Sequence, residues 1–214
     1  MMKKGGLFIT FEGTEGSGKS TLISYVSQLL EKEGYKVTTT REPGGSPIAE
    51  KIRSIVLHSP MDPRTELLLY EAARSEHLVQ KILPALKQGG IVLCDRFTDS
   101  SLAYQAYARG LPWKEVKTMN RLATGGMKPH LTILLDIDPQ IGLERARDPN
   151  RFEAEGVSFQ KKVRLGFFKA RSENPNRWLT LKVKNKTPEQ LAQTVLKQLD
   201  LRWLKRIKKP QIHS

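Results

Sequence analysis

The sequence predicts an α/β fold, an open and doubly wound parallel sheet flanked by helices. Short apolar runs of four to six residues alternate with longer segments whose apolar residues recur at helical spacing. The first apolar run enters a glycine-rich turn that opens a helix, as in units where a helix crosses between parallel strands. The 214 residues contain no internal repeat or linker and suit one domain with a single core.

Five segments are predicted to be strands. The run Ile91–Asp95 is apolar at every position before its final acid, which is typical of a strand buried on both faces. Residues 37–40 are all β-branched, a composition that favours extended backbone. The predicted strands are 7–12, 37–40, 91–95, 131–136 and 178–183.

Helices are predicted between these strands. Gly34 stands where a C-capping glycine is expected after the first helix, and Pro84 predicts a kink in a long helical segment. Residues 148–156 are polar and are predicted to form a loop. The predicted helices are 19–33, 48–57, 64–87, 99–108, 114–124, 139–147, 157–173 and 188–204.

Composition narrows the classes of function. The formal net charge is +14, and basic residues concentrate in 145–171 and 201–209. Basic surfaces attract nucleic acid, but aromatic stacking platforms are not evident, so nucleic acid is not the expected partner. No apolar run is long enough to cross a membrane, so no membrane partner is expected. The single cysteine, Cys94, cannot form an internal disulfide, which favours a reducing compartment and a cytoplasmic protein.

The strongest motif is the turn after the first strand. Gly13 to Ser20 reads GTEGSGKS and matches G-x-x-x-x-G-K-[ST], the P-loop. Its glycines let successive backbone N–H groups face one anion, and the positive end of the following helix points to the same place. Lys19 is expected to reach the terminal phosphates of ATP, and Ser20 to help hold Mg²⁺. The predicted ATP-binding residues of this turn are Gly13, Thr14, Glu15, Gly16, Ser17, Gly18, Lys19, Ser20 and Thr21.

The P-loop refines the fold class to a P-loop NTPase-type doubly wound parallel five-stranded sheet flanked by helices. A regulatory GTPase carries N-K-x-D after a strand, whereas residues 185–188 read NKTP, with Pro188 in place of the aspartate. A helicase or motor is usually longer and has further motifs. A small kinase remains.

Charged residues at two other strand ends predict the rest of the site. Arg41 and Arg96 stand where open α/β sheets bind ligands, and guanidinium groups suit phosphate. We therefore expect both to hold the phosphate of an acceptor, with a surface salt bridge as the alternative. Asp95 ends its strand like a Walker B acid. The predicted metal residues are Ser20 and Asp95, the latter acting through a bridging water.

Three further blocks carry a resemblance to a known family. Residues 41–45 read REPGG, residues 68–74 read LLYEAAR, and residues 95–105 read DRFTDSSLAYQ. Together with the P-loop they resemble the bacterial-type thymidylate kinases, over nearly the whole chain. The resemblance implies one nucleoside-monophosphate-kinase domain over 1–214 with a lid loop at about 147–156. It also implies phosphorylation of dTMP to dTDP with Mg-ATP, a step in dTTP synthesis, by direct in-line transfer, and a homodimer.

The resemblance implies roles for the residues that bind dTMP. Glu15 resembles the acid that contacts the sugar hydroxyl, and Arg74 the arginine that donates to a thymine carbonyl. Ser101 and Gln105 resemble groups that read the base edge. Arg53 is expected at the rim of the same pocket. For Ser101 and Arg53, an ordinary polar side chain on the surface, without a role in binding, is an open alternative. The implied set is Glu15, Arg41, Arg53, Tyr70, Arg74, Arg96, Ser100, Ser101, Tyr104 and Gln105.

Two aromatic residues have more specific roles by resemblance. Tyr104 resembles the aromatic that crowds the ribose 2′ position and so favours a deoxy sugar. Tyr70 falls where the family more often has a phenylalanine stacked on the base, and stacking survives this change.

The loop 147–156 resembles the lid of a subgroup whose P-loop lacks an arginine and whose lid supplies one. Arg147 is implied to bind ATP. Arg151 is the preferred arginine for neutralising charge on the transferring phosphoryl group, because it precedes the family-like pair Phe152-Glu153. The implied catalytic residues are Lys19, Asp95, Arg96 and Arg151. A kinase for another nucleoside monophosphate and a nucleic-acid-binding protein are the alternatives.

Overall fold

The computed structural model describes residues 5–145 and 151–207, without the side chains of Glu153 and Arg206. A five-stranded parallel sheet forms its centre, in the order β2-β3-β1-β4-β5. This arrangement confirms the predicted fold class. The strands are β1 (Leu7–Glu12), β2 (Val37–Arg41), β3 (Ile91–Asp95), β4 (Leu131–Asp136) and β5 (Trp178–Lys182).

The strand order brings the predicted site residues together. β2 and β3 lie on one side of β1, and β4 and β5 lie on the other, so the chain changes direction across the sheet at β1. In the register, Asp95 lies beside both Arg41 of β2 and Phe11 of β1. The turn after β1 therefore emerges beside Asp95, at the edge where sheets of this kind bind ligands.

Helices cover both faces of the sheet. The described helices are α1 (Lys19–Lys32), α2 (Pro47–His58), α3 (Pro63–His77), α4 (Leu83–Lys87), α5 (Thr98–Ser101), α6 (Trp113–Thr124), α7 (Pro139–Arg145), α8 (Arg151–Ala154), α9 (Gly156–Glu173) and α10 (Pro188–Arg202). Short 3₁₀ turns occupy Pro175–Arg177 and Leu204–Arg206. In the part of the chain that the structure describes, no helix is long and apolar enough to span a membrane.

Local sequence explains where several helices begin. α2 and α3 both start with proline at the first position, preceded by a capping side chain: Ser46 accepts from the N–H of Ala49, and Asp62 accepts from that of Arg64. α10 has proline there too, within a reciprocal capping box formed by Thr187. Proline suits this position because its missing N–H would be unpaired anyway.

Two predicted elements differ from the structure. The helix predicted over 64–87 changes to π-helical geometry at Leu78–Ile82, just before Pro84. Proline has no N–H to donate and its ring crowds the carbonyl four residues earlier, so a wider turn relieves both problems. The loop predicted over 148–156 was wrong for Arg151–Ala154, which forms a helical turn. A second π-helical segment, Leu102–Ala108, continues α5.

Alternate residues of β1 build the core on opposite faces of the sheet. Ile9 and Phe11 pack with α1 and α10, whereas Phe8 packs with β3 and the π-helical segment before α4. Both sets are buried, as expected for a central strand of a parallel sheet. The sheet is thus a rigid support for the loops at its carboxyl edge.

Candidate active site

The P-loop is packed tightly against α7. Gly16 and Gly18 have φ angles of 65° and 89°, the left-handed region that favours glycine. A Cβ at Gly16 would overlap the carbonyl oxygen of Gly142 on α7. A side chain at this position would therefore push the P-loop away from the helix that supports it.

Lys19 folds back over the P-loop. Its ammonium group donates to the carbonyl oxygens of Gly13 and Thr14, at 3.3 and 3.1 Å, and to the hydroxyl of Ser17 at 3.4 Å. Burial lowers the pKa of Lys19, and the positive charge of Arg96 lowers it further. A cation held in this way is available to an incoming phosphate, which would offer stronger acceptors than two neutral carbonyl groups.

Ser20 and Asp95 form the part of the site that suits a metal ion. The Ser20 hydroxyl donates to Oδ2 of Asp95 at 2.9 Å, while Oδ1 of Asp95 is buried without a hydrogen bond in the described residues. Hydroxyl and carboxylate oxygens are ligands that Mg²⁺ accepts. The described residues contain no cluster of three or more His, Cys, Asp or Glu side chains suited to a metal. Phosphate and water would therefore complete the shell of a magnesium ion here.

Arg96 connects the P-loop with the next part of the site. Its guanidinium donates to the carbonyl oxygen of Gly13 at 2.9 Å and to Oε1 of Glu15 at 2.7 Å, and it stacks on the ring of Tyr104. The Tyr104 hydroxyl donates to the same oxygen of Glu15 at 2.9 Å. Although burial opposes ionisation, Arg96 and Lys19 outweigh it and lower the pKa of Glu15. The carboxylate inside the P-loop is thus turned toward cations.

A buried carboxyl group, Glu12, supports the turn that carries Arg96. Arg96 itself has a φ of 70°, unusual for a residue with a side chain. Glu12 accepts from the N–H of Phe97 at 2.9 Å and from the hydroxyl of Ser100 at 2.6 Å. Burial, followed by the charge of Asp99, raises the pKa of Glu12 to about 8. Glu12 therefore helps to hold Arg96 in its strained backbone conformation.

Two adjoining cavities lie at this edge of the sheet. The larger one, about 1000 Å³, is lined by the P-loop from Glu15 to Thr21, by Asp95 and by residues after β4 and β5. The smaller one, about 80 Å³, suits a base ring better than a whole nucleotide. Four residues line both cavities: Glu15, Glu42, Arg53 and Arg96. The residues predicted to bind dTMP that line the smaller cavity are Glu15, Arg53, Tyr70, Arg96, Ser100, Ser101, Tyr104 and Gln105.

Comparison with known proteins identifies the family. Residues 11–195 match the sequence model of the family described as Thymidylate kinase. The chain belongs to the thymidylate kinase family. The activity of this family, phosphorylation of dTMP to dTDP with ATP, accounts for a P-loop beside an arginine-lined second cavity.

Curated relatives match over 85 to 98% of their own length. The thymidylate kinase of Geobacillus sp. (strain WCH70) is 48% identical over 203 residues, which cover 91% of this chain and 97% of the relative. That of Staphylococcus epidermidis (strain ATCC 35984) is 49% identical over 200 residues, 90% and 98% of the two chains. That of Bacillus licheniformis is 50% identical over 181 residues, 81% and 85%.

Two arginines of the predicted dTMP-binding set, the phosphate-binding Arg41 and the rim residue Arg53, lie at the edge of the larger cavity. Arg41 lines the larger cavity and is about half exposed, with both carboxylate oxygens of Glu50 as acceptors at 3.0 and 3.1 Å. Arg53 donates to the carbonyl oxygen of Pro43 at 2.9 Å. Exposed ion pairs are weak, so a phosphate dianion would compete with Glu50 for Arg41.

Arg74 lies deeper than its predicted role requires. It is buried and lines neither cavity, because its guanidinium is held by Glu42 at 2.7 Å and by Glu71 at 2.5 Å. It also donates to the hydroxyl of Ser101 at 3.0 Å, and Ser101 does line the smaller cavity. Its contact with a thymine carbonyl stays a prediction.

Arg151, the predicted lid arginine, lies away from the P-loop. It donates to Oε2 of Glu66 at 2.7 Å and to the carbonyl oxygen of Val56 at 3.0 Å, and it lines neither cavity. The neighbouring Phe152 does line the smaller cavity, edge to face with Tyr104. Arg147, also predicted to bind ATP, lies outside the described residues.

The sequence analysis did not assign several residues that line the cavities. Arg145, at the end of α7, and Lys186, after β5, line the larger cavity. Glu12 lies below Arg96, and Phe152 lines the smaller cavity. The sequence did carry one signal for Lys186, which belongs to a polar turn directly after a predicted strand. Because that strand, β5, pairs with β4, the turn lies at the carboxyl edge of the sheet, where ligands bind.

Proposed function

We propose that ATP binds with Mg²⁺ in the larger cavity, and that dTMP places its base in the smaller cavity and its phosphate beside Arg96. The observation that carries this proposal is the position of Arg96 and Glu15, which line both cavities while Arg96 also contacts the P-loop. An arginine at that boundary is suited to a phosphate that receives another phosphoryl group.

Catalysis in this proposal is positioning and neutralisation of charge. The phosphate of dTMP is already ionised at neutral pH, so the reaction needs no strong general base. Lys19 and Arg96 hold the donor and the acceptor in line and stabilise the charge that spreads over the phosphoryl oxygens in the transition state. Ser20 and Asp95 hold Mg²⁺, which when bound neutralises charge on the terminal phosphates of ATP.

Recognition of dTMP follows from the lining of the smaller cavity. Tyr70 offers a face for the base, and Gln105, with Ser100 and Ser101, supplies polar groups at its edge. Glu15 is the acceptor for the sugar hydroxyl, and the ring of Tyr104 restricts the 2′ position. Arg74 acts from below, through a shift of its guanidinium toward the base or through the hydroxyl of Ser101.

Arg151 is proposed as the lid arginine of the transfer step. Its bonds to Glu66 and Val56 would be exchanged for phosphoryl oxygens when ATP is bound. The guanidinium of Arg151 lies over the ring of Phe152, which lines the smaller cavity. This position supports the role, because Arg151 already lies next to the proposed acceptor site. Arg147 is proposed to bind ATP from the same segment.

The chain is also proposed to act as one domain and to form a homodimer in the cytoplasm. A groove of about 420 Å³ between α3 and α6 supports self-association, because five of its nine lining residues are apolar: Leu67, Leu68, Leu111, Val116 and Met119. The other four are Arg64, Lys114, Glu115 and Thr118. Leu68 is 55% exposed. Sedimentation of wild type and of Leu68→Glu tests the dimer. Cys94 is a free, buried thiol, in agreement with a reducing compartment.

An acceptor panel tests the proposed substrate. Initial rates are measured with Mg-ATP and each of dTMP, dUMP, dCMP, dAMP and dGMP in a coupled assay for ADP. The highest kcat/KM is expected with dTMP. A higher value with a purine or cytidine nucleotide would assign the smaller cavity to a different base.

A further inference from the structure

Glu66 on α3 has no role in the reaction described so far, although it is fully buried next to the smaller cavity. Three side chains donate to its carboxylate: Gln105 through Nε2 at 2.7 Å, Arg109 through Nε at 3.0 Å, and Arg151 through Nη2 at 2.7 Å. A buried carboxylate with three charged or polar donors is a fixed acceptor, because moving it would leave those donors unpaired.

The chemistry of Glu66 decides which end of the Gln105 amide faces the cavity. Between two guanidinium groups Glu66 is an ionised carboxylate, which accepts hydrogen bonds and donates none. Gln105 must therefore present its NH₂ group to Glu66. Its carbonyl oxygen, Oε1, makes no hydrogen bond within the described residues and is the amide atom left for a ligand.

That orientation matters because pyrimidines differ at one edge atom. N3 of thymine carries a hydrogen and donates, whereas N3 of cytosine has a lone pair and accepts. An amide oxygen accepts from the N3 hydrogen of thymine and is repelled by the lone pair on N3 of cytosine. An amide that was free to rotate by half a turn would accommodate either base, so glutamine alone does not discriminate.

We propose that Glu66 is a positioning residue that fixes the Gln105 amide with its oxygen toward the base and thereby sets the preference for thymine over cytosine. This inference rests on the proposed function, in that dTMP places its base in the smaller cavity.

Arg109 keeps the carboxylate of Glu66 in one orientation. Its Nε lies 3.0 Å from both oxygens, and its guanidinium also pairs with Glu155 at 2.8 Å. The guanidinium stacks on Phe159 as well, with 4.9 Å between its central carbon and the ring centre. Because Arg109 is fixed on three sides, Glu66 stays in place whether or not Arg151 remains bound to it.

The test is a double-mutant cycle read as substrate preference. Wild type, Glu66→Gln, Gln105→Ala and the double variant are compared by the ratio of kcat/KM for dTMP to that for dCMP. Glu66→Gln offers both a donor and an acceptor to Gln105, so the ratio is expected to fall by about tenfold or more, mainly through KM. In the Gln105→Ala background, the same change is expected to leave the ratio unaltered.

Two results would overturn the inference: an unaltered ratio in Glu66→Gln, or an equal fall with and without Gln105. Glu76→Gln is the matched control, since Glu76 lies on the same helix and lines neither cavity. If wild type itself does not turn over dTMP, the proposed function fails. A normal wild type with an unaltered variant rejects only the role of Glu66.

A measurement on the wild-type protein covers the case in which Glu66→Gln does not fold. The side-chain NH₂ resonances of Gln105 in ¹⁵N-labelled protein are assigned by their loss in Gln105→Ala. They are expected to be protected from exchange with solvent before dTMP is added, because the NH₂ group donates to the buried Glu66. An NH₂ group that exchanges fast in the free protein and becomes protected only when dTMP binds would lie against the base and refute the proposal.

Discussion

The hydroxyl of Ser20 donates a hydrogen bond to Oδ2 of Asp95 across 2.9 Å. This contact joins the end of the P-loop to the end of β3, two segments that are 75 residues apart in the sequence. The other oxygen of Asp95 has no partner in the described part of the chain. Ser20 and Asp95 both line the larger cavity, where the terminal phosphates of ATP are proposed to lie.

Asp95→Asn tests the proposed metal site. The amide oxygen still accepts from Ser20, so the local packing survives, but the negative charge that attracts Mg²⁺ is lost. We expect kcat to fall by about a hundredfold and the Mg²⁺ concentration that gives half the maximal rate to rise. Initial rates are measured against Mg²⁺ concentration, with Asp200→Asn, at an exposed position on α10, as the control. An unchanged requirement for Mg²⁺ would remove Asp95 from the metal site.

Lys19→Ala tests the P-loop assignment. The variant loses the only ammonium group of the P-loop, and with it the contacts to the carbonyl oxygens of Gly13 and Thr14. We expect kcat to fall by about 10³-fold or more while dTMP binding, measured by calorimetry, persists. Lys32→Ala, exposed at the end of the same helix, is the control. Turnover close to wild type would contradict the assignment.

Local patterns predicted most of the fold and the phosphate cradle. The strands β1, β3 and β4 have the predicted ends, because each is a mostly apolar run that stops at an acidic residue, and this signal is carried by adjacent residues. The π-helical segment Leu102–Ala108 was not predicted, since its apolar residues repeat much as those of an α-helix do. The P-loop motif was found because all its parts lie within eight residues.

The parts of the site that were missed depend on contacts between distant residues. Glu12 accepts a hydrogen bond from Phe97, which is 85 positions away in the sequence, and Glu66 accepts one from Gln105, which is 39 positions away. Neither acid belongs to a local motif. Lys186 lines the larger cavity only because β5 pairs with β4. The sequence predicted a sheet but not this order, so the ligand-facing role of the turn after β5 was not apparent.

Tyr104 tests the basis of the preference for a deoxy sugar. Its ring lies against Arg96 and its hydroxyl donates to Glu15. If the ring excludes a 2′-hydroxyl group, Tyr104→Ala should lower the ratio of kcat/KM for dTMP to that for ribothymidine monophosphate by about tenfold or more. Tyr104→Phe keeps the ring and should keep the ratio. Loss of the preference in Tyr104→Phe would instead assign it to the hydroxyl.

Arg151→Ala tests the lid arginine. An arginine that neutralises charge on the transferring phosphoryl group is worth about 10³-fold or more in kcat, and we expect a loss of that order with little change in the Kd for dTMP. Arg145→Ala is the matched comparison, because Arg145 lines the larger cavity, where ATP is proposed to bind, and its loss should chiefly raise the KM for ATP. Equal effects of Arg151→Ala on turnover and on dTMP affinity would make Arg151 a binding residue only.

The buried carboxyl group of Glu12 predicts how stability changes with pH. Its pKa is raised from 4.5 to about 8 in the folded protein, by burial first and by the charge of Asp99 second, with Arg96 opposing both. Between these two values the folded state holds a proton that the unfolded chain has released. Stability therefore falls as pH rises through this window, and the contribution of the protonated group is lost above about pH 8.

Glu12→Gln removes this titration and has nearly the same shape: its amide oxygen accepts from the N–H of Phe97, and the hydroxyl of Ser100, which donates to Glu12 in wild type, accepts from the amide NH₂ group instead. The Tm of wild type should fall more steeply than that of the variant between pH 5.5 and 8.5. The Tm of the variant minus that of wild type should therefore rise by several degrees over this range. Groups that titrate in both proteins cancel in this difference. Glu31→Gln, an exposed change on α1, should run parallel to wild type. A constant difference in Tm between wild type and Glu12→Gln across the range would show that Glu12 is ionised throughout. The turn that carries Arg96 would then be held by a charged carboxylate rather than by a neutral carboxyl group.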